Sequence, residues 1–490
     1  MDTNLAKLSP NLVWQYFEQI CQVPRPSKKE DKIRQFLIDT ANSLGLNYKV
    51  TAIGNVIIQK PATLGMEQRK KITFQVHMDM VPAKLRTSPH NFETDSIKAY
   101  IDGDWVTADG TTLGADNGIG IAYALAVLAA KNISHGPLEL LVTTDEETGM
   151  SGAFGLNTID ISGEILLNLD SEEDHEVCIG CAGGINTEIS LPFNWCDYNK
   201  TNQIAYKVVL DGLYSGHSGV DIHLGRANSI KEMAGFLYTL QQQIPFALAH
   251  ISGGRLRNVI PAYCEVIIVV DKADQEKLYS MQQDYLANLV IDYAATEKNL
   301  KLSATEVELP EQVIQPKTAK DFIIALHSCF NGLLQMNWDI NIPQTSSNLG
   351  VVKIVDRQIL LTTLQRSPSS SAKRKLASTV GGVFELIGAT VDYSGEYPGW
   401  LPNLSSEMLK VVETSYQKLF GHKIKIAATH GGLECGLILA KFPNMDAVSI
   451  GATIRDPHSV NERVSIQSVA KVWQLLKDIL ANTPLKANVS

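Results

Sequence analysis

The sequence predicts an α/β fold: a mainly parallel sheet flanked by helices, interrupted by an inserted α+β domain. Three observations lead there. Through the first third of the chain, runs of strand length alternate with stretches whose apolar residues recur at helical spacing. Two of the runs, LELLVTTD and EILLNLD, are apolar almost throughout, as in strands covered on both faces. After residue 400 the same alternation returns, beyond a long stretch of different texture.

PSKKE reads as a helix start, with Ser27 as N-cap and Glu30 closing a capping box, and DKIRQFLIDTANSLGL continues it. NVIIQK and KITFQV read as strands, and NGIGIAYALAVLAAK, from Asn117, as an apolar helix. The texture changes near Gly183–Gly184. Beyond it come strands such as AYKVVLDGL and YCEVIIVVD and long helices such as NSIKEMAGFLYTLQQ and QEKLYSMQQDYLANLVIDYAA. VVKIVDRQILLTTLQRS and SSSAKRKLASTVGGVFELIG repeat the strand–helix order. After PGW, NLSSEMLKVVETSYQKLF is a helix, IKIAATH a strand, GGLECGLILAKF a helix and DAVSIGATI a strand. The expected organisation is a first domain in two segments, 1–185 and 401–490, with a second domain, 186–400, inserted between them.

At 490 residues, 44% hydrophobic and 19% charged, the chain has ample material for packed cores. A net charge of −9 argues against general nucleic-acid binding. The start, MDTNLAKLSPNLVWQYF, lacks a secretory pattern, and no apolar run has membrane-spanning length. Seven scattered cysteines suit a reducing cytoplasm better than a disulfide framework. Cys178 and Cys181 form a CxxC with no second pair, and read as buried thiols.

Chemistry concentrates in five segments: FQVHMD (His77, Asp79), LGADNG (Asp116), TTDEETG (Glu146, Glu147), LNLD (Asp170) and RDPHS (His458). His77, the Glu146–Glu147 pair and Asp170 follow strand-like runs, and His458 lies shortly after DAVSIG. In open α/β sheets, sites form outside the carboxyl ends of the strands, so these residues are expected on one rim. Two neutral imidazoles and three carboxylates, with one bridging hydroxide, neutralise and coordinate two divalent ions if Asp116 bridges. Zn²⁺ suits the set, and Mn²⁺ or Co²⁺ are tolerated by the same donors. Asp79 is placed to accept the other ring N–H of His77. Glu146 and Glu147 diverge, so one can bind metal while the other serves as general base. Each piece has a blander reading: Asp116 as a helix cap, the DEE run as a solvated turn, His458 as a buried histidine. GADNGIG is no phosphate cradle, because no lysine follows and Asp116 repels an anion.

These segments resemble the M20 family of metallopeptidases, most of all its aminoacyl-histidine dipeptidases. The likeness runs through PRPS (24–27), HMDMV (77–81), DGTTLGADNGIG (109–120), TTDEETGMSGA (143–153) and LNLDSEE (167–173). It continues through GLYSGHSGVDIHLGRAN (212–228), RNVIP (257–261), HGGLECGL (430–437) and DPHS (456–459). The resemblance implies a zinc-peptidase-like fold with an inserted lid and two Zn²⁺ ions. One ion would rest on His77 and Asp170, the other on Glu147 and His458, with Asp116 bridging and a cis peptide into Asn117. Glu146 would be the general base and acid, Asp79 would orient His77, and His217 would help stabilise the oxyanion. Arg366 and Asn258 are the candidates for the substrate carboxylate, with His430 and Glu434 near the rim as further contacts. RSPSSS, from Arg366 on, departs from the usual family run. The implied activity is hydrolysis of unblocked dipeptides, Xaa-His or broader, in the cytoplasm. An N-acyl amino acid deacylase or related amidohydrolase would use the same site, and a non-catalytic metal-binding protein would keep only the ligands. The expected partners are a small dipeptide and, through the lid, a second copy in a homodimer; an insert this long could also complete the site within one chain.

Overall fold

The structure, a computed structural model, describes residues 3–486. Its contacts divide the chain into two units. The first holds the described residues up to Gly180, Trp400–Ala428 and those from Leu433 on; the second holds Cys181–Gly399 and Thr429–Gly432.

The first unit is built on an eight-stranded sheet, in the order Asn47–Val50, Val56–Lys60, Leu138–Thr143, Ile72–His77, Ile165–Asn168, Asp446–Ser449, Glu176–Cys181 and Lys425–Thr429. Ile72–His77 is parallel to both neighbours, and Asp446–Ser449 is parallel to Ile165–Asn168. Three of these four central strands, Leu138–Thr143, Ile72–His77 and Ile165–Asn168, are buried along their whole length, as their apolar runs require. The flanks differ from the expectation of a mainly parallel sheet. Asn47–Val50, Val56–Lys60 and Leu138–Thr143 pair antiparallel, as do Asp446–Ser449 and Glu176–Cys181. The first of these pairings follows from chain length: the few residues between Val50 and Val56 allow a hairpin but no crossover.

The helix Ala115–Ala129 is buried on nearly every side, in keeping with an apolar sequence lacking a polar stripe. Glu407–Phe420 and Ile466–Ala481 are amphipathic; Ser406 and Ser465 cap their first turns through side-chain oxygens. The capping box expected at Ser27 and Glu30 is not formed. The helix begins at Asp31, Lys28 has φ 69°, and the Ser27 hydroxyl donates instead to Asp79 Oδ2 at 2.8 Å. Glu30 Oε1 accepts the Lys28 N–H at 2.7 Å. The left-handed Lys28 ends any helical path from Ser27, so its oxygen has no first-turn N–H to accept, while its O–H is free to serve the Asp79 carboxylate.

The second unit carries a nine-stranded sheet whose pairings are antiparallel. Helices Ser229–Gln241, Pro316–Ser328 and Ser370–Glu385 pack into its core through residues such as Phe236, Phe322 and Phe384. VVKIVDRQILLTTLQRS, expected to begin a strand–helix repeat, is a hairpin: Ile342–Val355 pairs antiparallel with Gln358–Ser367. Asp356, at φ 54°, opens the two-residue turn between them. None of the seven cysteines forms a disulfide, and Cys178 and Cys181 are both buried. Among the described residues, no helix is long and apolar enough to cross a membrane.

Candidate dinuclear metal centre

Three parallel strands of the first unit deliver chemistry from their carboxyl ends. Ile72–His77 ends on His77, Leu138–Thr143 runs through Thr144 and Asp145 to Glu146 and Glu147, and Ile165–Asn168 leads to Asp170. Asp145, at φ 51°, turns the chain so that a four-residue helix starts on Glu146. His458 arrives by another route. It lies in the turn between Ile454–Arg455 and Arg463–Ser465, two strands of a separate four-stranded sheet, at φ 60°. Asp116 precedes the helical φ/ψ of Ala115–Ala129, at φ −79°, ψ 110°, with a cis peptide bond to Asn117. It caps nothing, because its carboxylate faces two histidines.

Asp116 Oδ1 lies 3.0 Å from His77 Nε2, and Asp116 Oδ2 lies 3.0 Å from His458 Nε2. Asp170 Oδ1 is 3.4 Å from His77 Nε2, and Glu147 Oε2 is 3.0 Å from His458 Nε2. The donor atoms of His77, Asp116 and Asp170 therefore converge within 4.8 Å, as do those of Asp116, Glu147 and His458. A third group, His77, Glu146 and Glu147, brings Glu146 to the edge of the same centre.

Asp79 ties this centre together. Its Oδ1 lies 3.4 Å from His77 Nδ1 and accepts the Glu146 N–H at 3.0 Å; its Oδ2 accepts the Glu147 N–H at 3.2 Å and the Ser27 hydroxyl. Burial alone would raise the Asp79 carboxyl, yet His77 and these donors hold it at about 2. Burial would also lower His77, but Asp170, Asp116 and Asp79 hold its imidazole well above the usual range. Hydrogen bonds to Asp116 and Glu147 push His458 up to about 11. Asp170 rises to about 6, through burial and then repulsion from Asp116 and Glu147, with His77 opposing. Burial raises Glu146 well above the carboxylate range; Glu434, Asp170 and Glu147 add to this, and His77 opposes it.

The donor set fits a pair of divalent cations. Glu147 Oε1 and Asp170 Oδ1 are buried with no hydrogen-bond partner, a costly arrangement for crowded carboxylates unless cations neutralise them. Imidazole and carboxylate donors suit zinc and its first-row neighbours.

The second unit gathers groups of the opposite kind. Arg366, near the end of Gln358–Ser367, is only 4% exposed. It donates through Nε to Ser218 Oγ at 3.4 Å and through Nη1 to Tyr397 Oη at 3.0 Å, and its Nη2 stands 3.3 Å from His217 Nε2. Among the described residues no carboxylate pairs with it. His217 Nδ1 accepts the N–H groups of Gly219 and Val220 at 3.3 and 3.1 Å. Both ring nitrogens thus face donors. Burial, then Arg366, push His217 down to about 4. His430 Nε2 is 2.8 Å from Ser346 Oγ, while its Nδ1 is buried without a partner. Burial, then Arg366, His217 and His223, push it down to about 3.

His430 and Glu434, expected near the rim, are both buried. Glu434 opens the helix Glu434–Lys441 beneath the strand ends, and its Oε2 accepts Gln75 Nε2 at 2.6 Å and the Thr143 hydroxyl at 2.5 Å. Asn258 is exposed, and its carbonyl accepts the Ser218 N–H at 2.8 Å. Sequence reasoning missed Arg25, Ser218, Ser346, Tyr397 and Glu462, and gave Asn117 only as the far side of a cis peptide. Asn117 spans the strand ends, with Oδ1 accepting the His77 N–H at 3.3 Å and Nδ2 donating to the Leu169 carbonyl at 2.8 Å. The PRPS motif holds Arg25 and the GLYSGHSGVDIHLGRAN motif holds Ser218; no quoted motif marks Ser346, Tyr397 or Glu462.

The profile of Peptidase family M20/M25/M40 matches residues 73–482. The chain is 41% identical over 489 residues to the cytosol non-specific dipeptidase of Escherichia coli (strain K12), covering 99% of this chain and 100% of that one. Its structure superposes with that of an aminoacylhistidine dipeptidase from Vibrio alginolyticus at a TM-score of 0.92, with 41% identity and 99% of each chain covered. An aminopeptidase from Bacillus cereus, at a TM-score of 0.57 and 16% identity over 97% of this chain and 98% of that one, shares the fold.

Proposed function

The chain belongs to Peptidase family M20/M25/M40, and from that premise we propose that it is a cytosolic dizinc dipeptidase acting on unblocked dipeptides, Xaa-His among them. The observation that carries this reading is Asp116, which turns one carboxylate oxygen to each of two histidines, each accompanied by one further acid. His77 and Asp170 would hold one ion, Glu147 and His458 the other, and Asp116 both. When bound, such a pair supplies Lewis-acid polarisation of the scissile carbonyl and activation of water.

This chain's residues account for the rest. Glu146, half-buried beside the ligands and raised well above the carboxylate range, takes a proton from the attacking water and returns it to the leaving amine. Asp79 Oδ1, 3.4 Å from His77 Nδ1, would accept that ring N–H and so fix the tautomer that leaves Nε2 as the donor atom. Its two oxygens also hold the backbone of Glu146 and Glu147, so the base and one ligand share an anchor. In the second unit, Arg366, His217 and His430 form a cluster in which, among the described residues, no carboxylate pairs with the guanidinium, which suits an anionic group of the substrate. An acceptor between Arg366 and His217 Nε2 would relieve their facing donors.

The test is a substrate panel before and after chelation: Ala-His, carnosine, other dipeptides and N-acyl amino acids. Hydrolysis of free dipeptides, lost on chelation and restored by Zn²⁺, Mn²⁺ or Co²⁺, is expected. Preference for N-acyl amino acids would move the reading to a deacylase, and full activity after exhaustive chelation would end it.

A further inference from the structure

A buried guanidinium and a buried carboxyl group grip the turn that carries Asp116, and neither belongs to the donor set. Arg25, in the PRPS motif, is 3% exposed. Its Nη1 donates to the carbonyls of Met78 and Asp79, at 3.1 and 2.7 Å, and its Nη2 donates to the Gly114 carbonyl. Glu462, a short way past His458, is 2% exposed. Its Oε2 accepts the N–H groups of Leu113 and Gly114, both at 2.9 Å, and its Oε1 accepts the N–H of Asp116 itself at 3.2 Å.

Gly114 is held from both sides, its carbonyl by Arg25 and its N–H by Glu462. Its φ of 71° is left-handed, and a Cβ there would lie 2.7 Å from Arg25 Nη2. Only glycine takes this conformation without strain and leaves room for the guanidinium to reach its carbonyl. Burying a guanidinium and a carboxylate is costly, and here these bonds go to the backbone of the loops that end in Asp79 and Asp116. That arrangement adds no donor to the centre. It fixes where one bridging carboxylate stands relative to His77.

We infer that Arg25 and Glu462 are positioning residues that hold the Asp116 carboxylate between the two histidines, and so set the affinity of the centre for its second cation. The inference rests on the dinuclear reading of the site. Partners behind metal ligands typically change affinity by about 10–100-fold when mutated. In Glu462→Gln the amide oxygen can still accept from Leu113 and Gly114, but the amide nitrogen then meets the Asp116 N–H donor to donor. The defect falls on Asp116 while most of the clamp survives.

The experiment uses the full-length protein, stripped of metal and titrated with Zn²⁺ against a competing chelator. Wild type, Glu462→Gln and Arg25→Lys are compared, with apo melting temperature and circular dichroism recorded for each. Wild type must take up two ions; failure there would sink the dinuclear reading itself, independently of the clamp. With that established, the folded variants should bind the second ion about 10–100-fold more weakly. Activity at low zinc should fall through kcat with little change in KM, and excess zinc should restore it. Wild-type affinity for both ions in either folded variant overturns the inference, as does a kcat loss that excess zinc leaves untouched. If Glu462→Gln does not fold, Arg25→Lys and Glu462→Asp, which keeps the charge but shortens the reach, carry the same readouts.

Discussion

In the first unit His458 stands 3.0 Å from two carboxylates and is pushed up to about 11, whereas in the second His217 stands beside Arg366 and is pushed down to about 4. The ring is the same; its neighbours decide the sign. The first region concentrates acids around two imidazoles and creates a potential that only cations satisfy. The second surrounds its imidazoles with donors and one arginine and awaits an acceptor. The proposed dipeptide hydrolysis needs a region of the first kind for its metal; the second, by itself, offers a cation to a carboxylate.

Removing the shared acid should break the contrast most completely. Asp116→Ala leaves both histidines with one carboxylate each, and zinc uptake should fall below two ions per chain with activity lost; metal analysis and turnover measure this. Next is Glu146→Gln, which should keep both ions and lose about 10²–10⁴-fold in kcat, the usual worth of a general base, as read by kcat beside zinc content. A mutant with wild-type kcat would remove Glu146 from that role. Third, Arg366→Ala should weaken kcat/KM for free dipeptides by about 10–150-fold, the range for hydrogen bonds to charged groups. For C-terminally amidated dipeptides the loss should be much smaller, because the carboxylate is already gone; equal losses on both would contradict the assignment.

The smallest effect concerns pH. His217 has a folded pKa of about 4 against 6.5 ordinarily, through burial and then Arg366. Below pH 6.5 the unfolded chain therefore binds a proton that the folded chain refuses, and stability falls as pH drops toward 4. Above that window His217 contributes no pH dependence. Metal-free His217→Gln should lose less melting temperature between pH 7 and 5 than metal-free wild type; identical slopes would mean that Arg366 and burial do not act on this ring.

The two regions were unequally legible in the sequence. The convergence of His77, Glu147 and Asp170 could be read because each follows a strand-like run, and strands of a parallel core end on one rim. His458 could be read as a histidine near that rim, but not as a passenger on a separate sheet, because Ile454–Arg455 is too short to leave a pattern. The antiparallel flanks escaped because periodicity reports burial and not strand direction. Arg25 and Glu462 escaped because they act through backbone atoms, and a residue that binds backbone leaves no partner residue to look for. Ser27 was read as a cap because a local rule fitted it, but the left-handed Lys28 delays the helix to Asp31 and leaves the hydroxyl to a distant carboxylate.

The central claim concerns where the cations sit. Zinc-loaded crystals measured on both sides of the zinc absorption edge test it most directly. Two anomalous peaks are predicted, one beside His77 and Asp170, the other beside Glu147 and His458, each within bonding distance of a different oxygen of Asp116. A single peak at full zinc occupancy, or a second peak not touching Asp116, would contradict the account.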